Sequence, residues 1–140
     1  MPSLKYYREE RAEFEEAYNL KLSDAQAETI VRKLCHHFMK KRASIVGKAL
    51  RNPKIRFYGN NQSGNAYFGW NVEIRLSHEP SLGIVCHEVG HVVERYNRKP
   101  AVKRTHFHTK KLRRIVGKLI QYAMKKGLWI KLEPSMELKA

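Results

Sequence analysis

The sequence predicts an α+β domain in which helices pack on a small antiparallel β-sheet built around a hairpin. Three stretches carry that expectation. Residues 80–96 (PSLGIVCHEVGHVVERY) place Leu82, Val85, Val89, Val92 and Tyr96 at three- and four-residue intervals, the period of a buried helix face. Residues 66–77 (AYFGWNVEIRLS) alternate, with Phe68, Trp70, Val72, Ile74 and Leu76 on one side and Tyr67, Asn71, Glu73 and Arg75 on the other, as a half-buried strand does. Residues 109–126 set Leu112, Ile115, Val116, Leu119, Ile120 and Ala123 on one helical stripe, opposite Lys110, Lys111, Arg113, Arg114 and Lys118. A chain of 140 residues is expected to form one domain, spanning 1–140.

Taken in order, residues 1–22 read as an acidic helical segment. One amphipathic helix is expected from Leu4 to about Tyr18, with Tyr6, Tyr7, Phe14 and Tyr18 interspersed and the cluster Glu9, Glu10, Glu13, Glu15 and Glu16 facing water. Ser23 with Gln26 three residues on is a capping-box start. Ala27, Ile30, Val31, Leu34 and Phe38 then mark the inner face of a long helix whose outer face carries Arg32, Lys33, Lys40, Lys41 and Arg42. His36 and His37 are adjacent, a spacing that cannot present both to one metal. After Asn52-Pro53 the period changes: KIRFY (54–58) reads as a short strand and GNNQSGN (59–65) as a turn, so that 66–77 becomes the second arm of the hairpin. The basic connection NRKPAVKRT leads to His106, Phe107 and His108. Gly127 closes the last helix and 127–140 form a tail.

The charge is the unusual part of the composition. Lys and Arg number 28 against 13 Asp and Glu, giving a net charge of +15 and a pI near 10.0. From Arg32 to Lys126 there are 22 basic residues and 4 acidic. Such an excess favours an anionic partner, and DNA or another nucleic acid bound through a basic surface is the expectation. Cys35 and Cys86 belong to no CxxC pair, which argues against a disulfide framework or a cysteine-ligated zinc ribbon and makes both small core residues. No apolar run has the length of a membrane span, and the acidic start is unlike a signal peptide. An intracellular monomer without a membrane partner is expected.

Within the 80–96 helix, His87, Glu88 and His91 spell HExxH. Residues four apart lie about 40° apart in azimuth and one turn apart in height, so both imidazoles can meet a single ion. Glu88, one step round, reaches a water on the ion but not the ion itself. Zn2+ in a catalytic site keeps three protein ligands and one open position. A metzincin continuation needs Gly at 94 and His at 97, where the chain has Glu94 and Asn97; a gluzincin needs a downstream acid, and none occurs between Glu94 and Glu133. Glu94 lies about 10 Å further along the helix axis than His87 and suits an outer role. His106 and His108 remain as third ligand, and His108 is favoured because it sits just before the last helix, with Thr109 as its cap and Leu112 packing below.

These residues resemble the SprT-like family of zinc metalloproteases over roughly Ala66 to Leu112. The resemblance consists of a strand containing Trp70 and ending Ile74 to Ser77, the HExxH helix, and a third histidine at the start of a downstream helix. The family's His-Gly-x-x-Phe or Trp stands here as His108-Thr109-Lys110-Lys111-Leu112. It implies a minimal zincin-like metalloprotease domain that binds zinc through His87, His91 and His108 and hydrolyses peptide bonds of DNA-associated proteins. The residues alone reach metal-assisted hydrolysis, with Glu88 as general base; Tyr67, Tyr96 and Arg104 are candidate oxyanion stabilisers. The rival expectation is a basic nucleic-acid-binding module with a structural or vestigial zinc.

Overall fold

A computed structural model describes residues 2–40, 45–68, 71–97 and 108–128. Among them run six helices and three strands: α1 (Pro2–Glu13), α2 (Glu15–Tyr18), α3 (Asp24–Phe38), α4 (Ile45–Arg51), β1 (Lys54–Phe57), β2 (Gly64–Phe68), β3 (Val72–Leu76), α5 (Leu82–Asn97) and α6 (Lys110–Lys125). The class is α+β, as expected.

Helix α5 is the hub. Its residues from Leu82 to Glu94 are all buried, because α3, α6, α2 and α4 pack round it and β2 and β3 close its remaining side. Cys86 lies in this core, and Cys35 of α3 is likewise buried and free. Helix α3 starts as its sequence predicts, with the Ser23 hydroxyl accepting from the Gln26 backbone N–H at 3.1 Å. The Gln26 side chain, however, does not return to Ser23. Its amide donates instead to the Leu128 carbonyl at 3.2 Å, tying the start of α3 to the end of α6. The helix also stops at Phe38, where Met39 is extended, short of the Lys40 to Arg42 cluster; residues 41 and 42 lie outside the described residues.

The single amphipathic helix expected from Leu4 to Tyr18 is two pieces. Phe14 leaves helical geometry (φ −114°, ψ 38°) and its ring lies against Gly117 of α6, where an added Cβ would sit 3.1 Å from Cζ. Docking on α6 outweighs one lost turn of a marginal helix.

The sheet corrects two further expectations. It is mixed, not antiparallel: its order is β1-β3-β2, with β1 parallel to β3 and β2 antiparallel to it. Residues 66–77 are not one strand but the hairpin itself, β2 and β3 joined through 69–71. Phe68 faces Val72 and Ala66 faces Ile74, so a three-residue connection keeps even-numbered residues on the inner face of both arms. That parity is why the alternation runs unbroken through a connection whose only sequence signal is Gly69 and Asn71 flanking Trp70. The placement of Trp70 itself lies outside the described residues.

Helix α6 matches its sequence signals closely. Thr109 caps it, its hydroxyl accepting from the Leu112 N–H at 3.2 Å, and Gly127 follows it with φ of 66°. No helix among the described residues is long and apolar enough to cross a membrane.

Helix α6 packs closely on α5 at Gly90, where a Cβ would lie 2.8 Å from Val116 Cγ2 and 3.3 Å from Leu112 Cδ1. Val116 is fully buried and β-branched, so it cannot rotate away. Gly90→Ala is therefore expected to destabilise the fold by about 1–3 kcal/mol in chemical denaturation; an unchanged midpoint would show that the two helices separate freely.

Candidate metal centre

Helix α5 delivers His87 and His91 one turn apart, both buried, with their Nε2 atoms 3.2 Å apart. His108, half-buried at the residue before the Thr109 cap, brings its imidazole to both: ring centroids are 5.3 Å from His87 and 5.2 Å from His91. One donor atom from each of the three lies within 4.8 Å of the others. Nitrogens bound at about 2.0–2.1 Å round a tetrahedral ion stand about 3.3 Å apart. The His87–His91 pair already has that spacing, and with a His108 nitrogen within 4.8 Å the three imidazoles are close enough to hold one metal ion. Three imidazoles and no thiolate suit zinc among several divalent ions, and the geometry alone does not choose one. His106 lies outside the described residues, and Glu94, buried further along α5, is not part of the cluster.

The other nitrogen of His87 meets a group that sequence reasoning assigned to solvent. Glu10 of α1 is fully buried, and its Oε2 lies 2.6 Å from His87 Nδ1. Its Oε1 accepts from the Tyr6 hydroxyl at 2.7 Å, and the Tyr18 hydroxyl also donates to Oε2. Burial alone would raise the Glu10 pKa, but the bonds from His87, Tyr18 and Tyr6 together hold it below the usual carboxylate range. A carboxylate there requires the proton on Nδ1 of His87, so that in the neutral imidazole Nε2 is the nitrogen that carries the lone pair. Only Glu10 of the five clustered acids behaves this way. A signal for it exists in the sequence: Tyr6, Glu10, Phe14 and Ala17 form one stripe at helical spacing, so this acid interrupts an otherwise apolar face.

Two tyrosines of α1 enclose the imidazoles. The Tyr6 ring lies 4.9 Å from that of His108, and Tyr7 lies 4.8 Å from His108 and 5.1 Å from His87. Arg113 of α6 pairs with Glu9 at 3.0 Å and sits over the Tyr6 ring, fastening α1 across the cluster. Burial, with the charges of Glu88 and Glu10, pushes the Tyr7 hydroxyl up to about 12, so it keeps its proton through neutral pH.

Glu88 is buried beside His87, and burial pushes its carboxyl up to about 7, the Glu10 charge adding to the rise and His87 opposing it. Both residues line a cavity of about 260 Å³ whose other walls are Tyr7, Arg11, Tyr18 and Ile84 and the run Gln62, Ser63 and Gly64. Gly64 is required here by close approach. A Cβ at that position would stand 2.9 Å from Glu88 Cγ and 3.1 Å from its Oε2. Of the oxyanion candidates taken from the sequence, Tyr67 and Tyr96 do not line this cavity. Tyr67 stacks on Arg75, the Tyr96 hydroxyl donates to the Lys40 carbonyl, and Arg104 lies outside the described residues.

If Glu10 orients His87, Glu10→Gln should weaken zinc binding about 10- to 100-fold in a chelator-competition titration. Unchanged affinity would reduce Glu10 to a packing role. Glu10→Ala leaves three buried donors facing a void and is expected to cost about 3–5 kcal/mol in stability.

Comparison with protein-family models, with curated proteins and with solved structures gives no match to this chain.

Proposed function

We propose that the chain is a zinc-dependent, zincin-like metallopeptidase of SprT-like type, acting on proteins associated with DNA. The observation that carries this reading is the convergence of His87, His91 and His108 beside a buried carboxylate, Glu88, that faces an open cavity. A structural site has no use for that carboxylate or that opening. His87, His91 and His108 would hold the zinc ion, which when bound would supply Lewis acidity to the site.

The protein's own residues do the rest. Glu88 accepts the water proton on its carboxylate and returns it to the leaving amine. Glu10, through Nδ1 of His87, keeps that imidazole in the tautomer that binds metal. Tyr7, which keeps its proton and packs against His87 and His108, is our candidate donor to negative charge developing on the carbonyl oxygen. Strand β2 is an edge of the described sheet, and the residues at its start form the cavity wall. An extended substrate is accommodated there as an added strand, with its backbone paired to β2. The cationic surface concentrates substrates that sit on DNA, and this contribution weakens as salt rises.

The test is incubation of the zinc-loaded protein with a DNA-bound protein substrate, wild type beside Glu88→Gln, with fragments read on a gel and zinc by elemental analysis. Glu88→Gln is expected to keep its metal and fold and to lose about 10²–10⁴-fold in rate. Equal fragment yield from the two proteins would remove the enzyme assignment. Wild-type protein retaining under about 0.2 equivalents of zinc would remove the metal centre.

A further inference from the structure

The face of the sheet turned away from α5 has no part in the metal centre, yet its composition is not that of an ordinary wet surface. It carries Lys54, Arg56 and Tyr58 from β1 and the residue after it, Tyr67 from β2, and Glu73 and Arg75 from β3. Tyr58 and Tyr67 are 50% and 43% exposed, two of the three most exposed large apolar side chains among the described residues. Arg75, on the central strand, lies between them. Its guanidinium is 4.0 Å from the Tyr67 ring centre and 5.6 Å from that of Tyr58. Glu73 holds this arrangement from one side, bonding Arg75 at 2.9 Å and Arg56 at 2.6 Å. The result is a row of planar groups, aromatic then cationic then aromatic, laid across three strands. A shallow depression of about 330 Å³ beside the row is bordered by Lys54, Arg56, Tyr67 and Arg75.

We propose that this outer sheet face is a binding platform for single-stranded nucleic acid, with bases stacking on Tyr58, Tyr67 and the Arg75 guanidinium and phosphates meeting Lys54 and Arg56. Three observations select this occupant. The face is cationic, with Glu73 its only acid among the described residues, and that acid is occupied in orienting two arginines. Its apolar contribution comes from tyrosine rings, which suit the π-face of any base and give little to a peptide carboxylate. The Arg75 guanidinium, 4.0 Å from one ring centre and 5.6 Å from the other, bridges the two rings diagonally across the sheet. Bases stacked as in a duplex, at about 3.4 Å per step, have no free faces to offer such a pair, whereas a single strand can splay its bases onto both. The proposal depends on no metal ligand, so it stands or falls separately from the peptidase reading.

The experiment is fluorescence anisotropy of the full chain with a labelled oligothymidylate of about 12 nucleotides, against a duplex of equal length, over a range of salt. The single strand is expected to bind more tightly. Tyr58→Ala and Tyr67→Ala should each weaken it about tenfold with the salt dependence unchanged, since no phosphate contact is lost. Tyr58→Phe and Tyr67→Phe should bind as the wild type does, because the ring is kept. Lys54→Ala should instead lower the salt slope by about one contact's worth. Both tyrosines are exposed, so the variants are expected to fold, which circular dichroism checks. Wild-type affinity in the double alanine variant, or equal affinity for duplex and single strand, would overturn the proposal. So would a polyglutamate peptide bound as tightly and with the same dependence on the tyrosines, which would assign the face to an acidic protein partner.

Discussion

The contact between the Glu10 carboxylate and Nδ1 of His87 joins the first helix of the chain to the helix at its centre, and most of the site's order follows from it. A fully buried carboxylate is unfavourable unless its lone pairs are filled, and here two phenols and an imidazole fill them. The same bonds fix the proton on one nitrogen of His87 and free the other. They also bring Tyr6 and Tyr7 against the imidazole cluster, so that α1 becomes a wall of the site and not the solvated acidic flap that its composition suggests.

The third imidazole depends on a different constraint, the close packing of α5 and α6. Gly90 lets Val116 and Leu112 approach the α5 backbone, and Thr109 fixes where α6 starts. His108 lies one residue before that cap. Its position is thus set by a helix terminus on one side and by a helix contact on the other, a firmer support than a free loop gives. Glu88 is held in the same spirit: the bare backbone of Gly64 lets the strand come down beside it, and no larger residue fits there without moving one of them.

The parts of this site that were legible in the sequence are those written locally. HExxH, the stripe on α5, the Thr109 cap, the stripe on α6 and Gly127 each need only a few neighbouring residues to be read, and each is found where those residues place it. His108 was legible because it stands against such a boundary. The parts that were not legible involve distant partners. Glu10 is bonded to a residue 77 positions away, and beside four other glutamates its place in the Tyr6, Phe14, Ala17 stripe was the only clue. The parallel pairing of β1 with β3 has no local signature, and the break between β2 and β3 was hidden because a connection of odd length preserves side-chain parity. Of the five acids expected to face water only Glu10 does not, and it and the expected single strand failed for the same reason: periodicity reports which face is covered, not by what.

The sequence separation within the centre sets an order of events during synthesis. Glu10 leaves the ribosome long before His87 exists to meet it, and His108 follows later still. The nascent chain therefore carries the Glu10 carboxylate without its imidazole partner until α5 has been made and packed. The three imidazoles can therefore meet only after α6 has been made, and a product truncated before His108 would hold two of them.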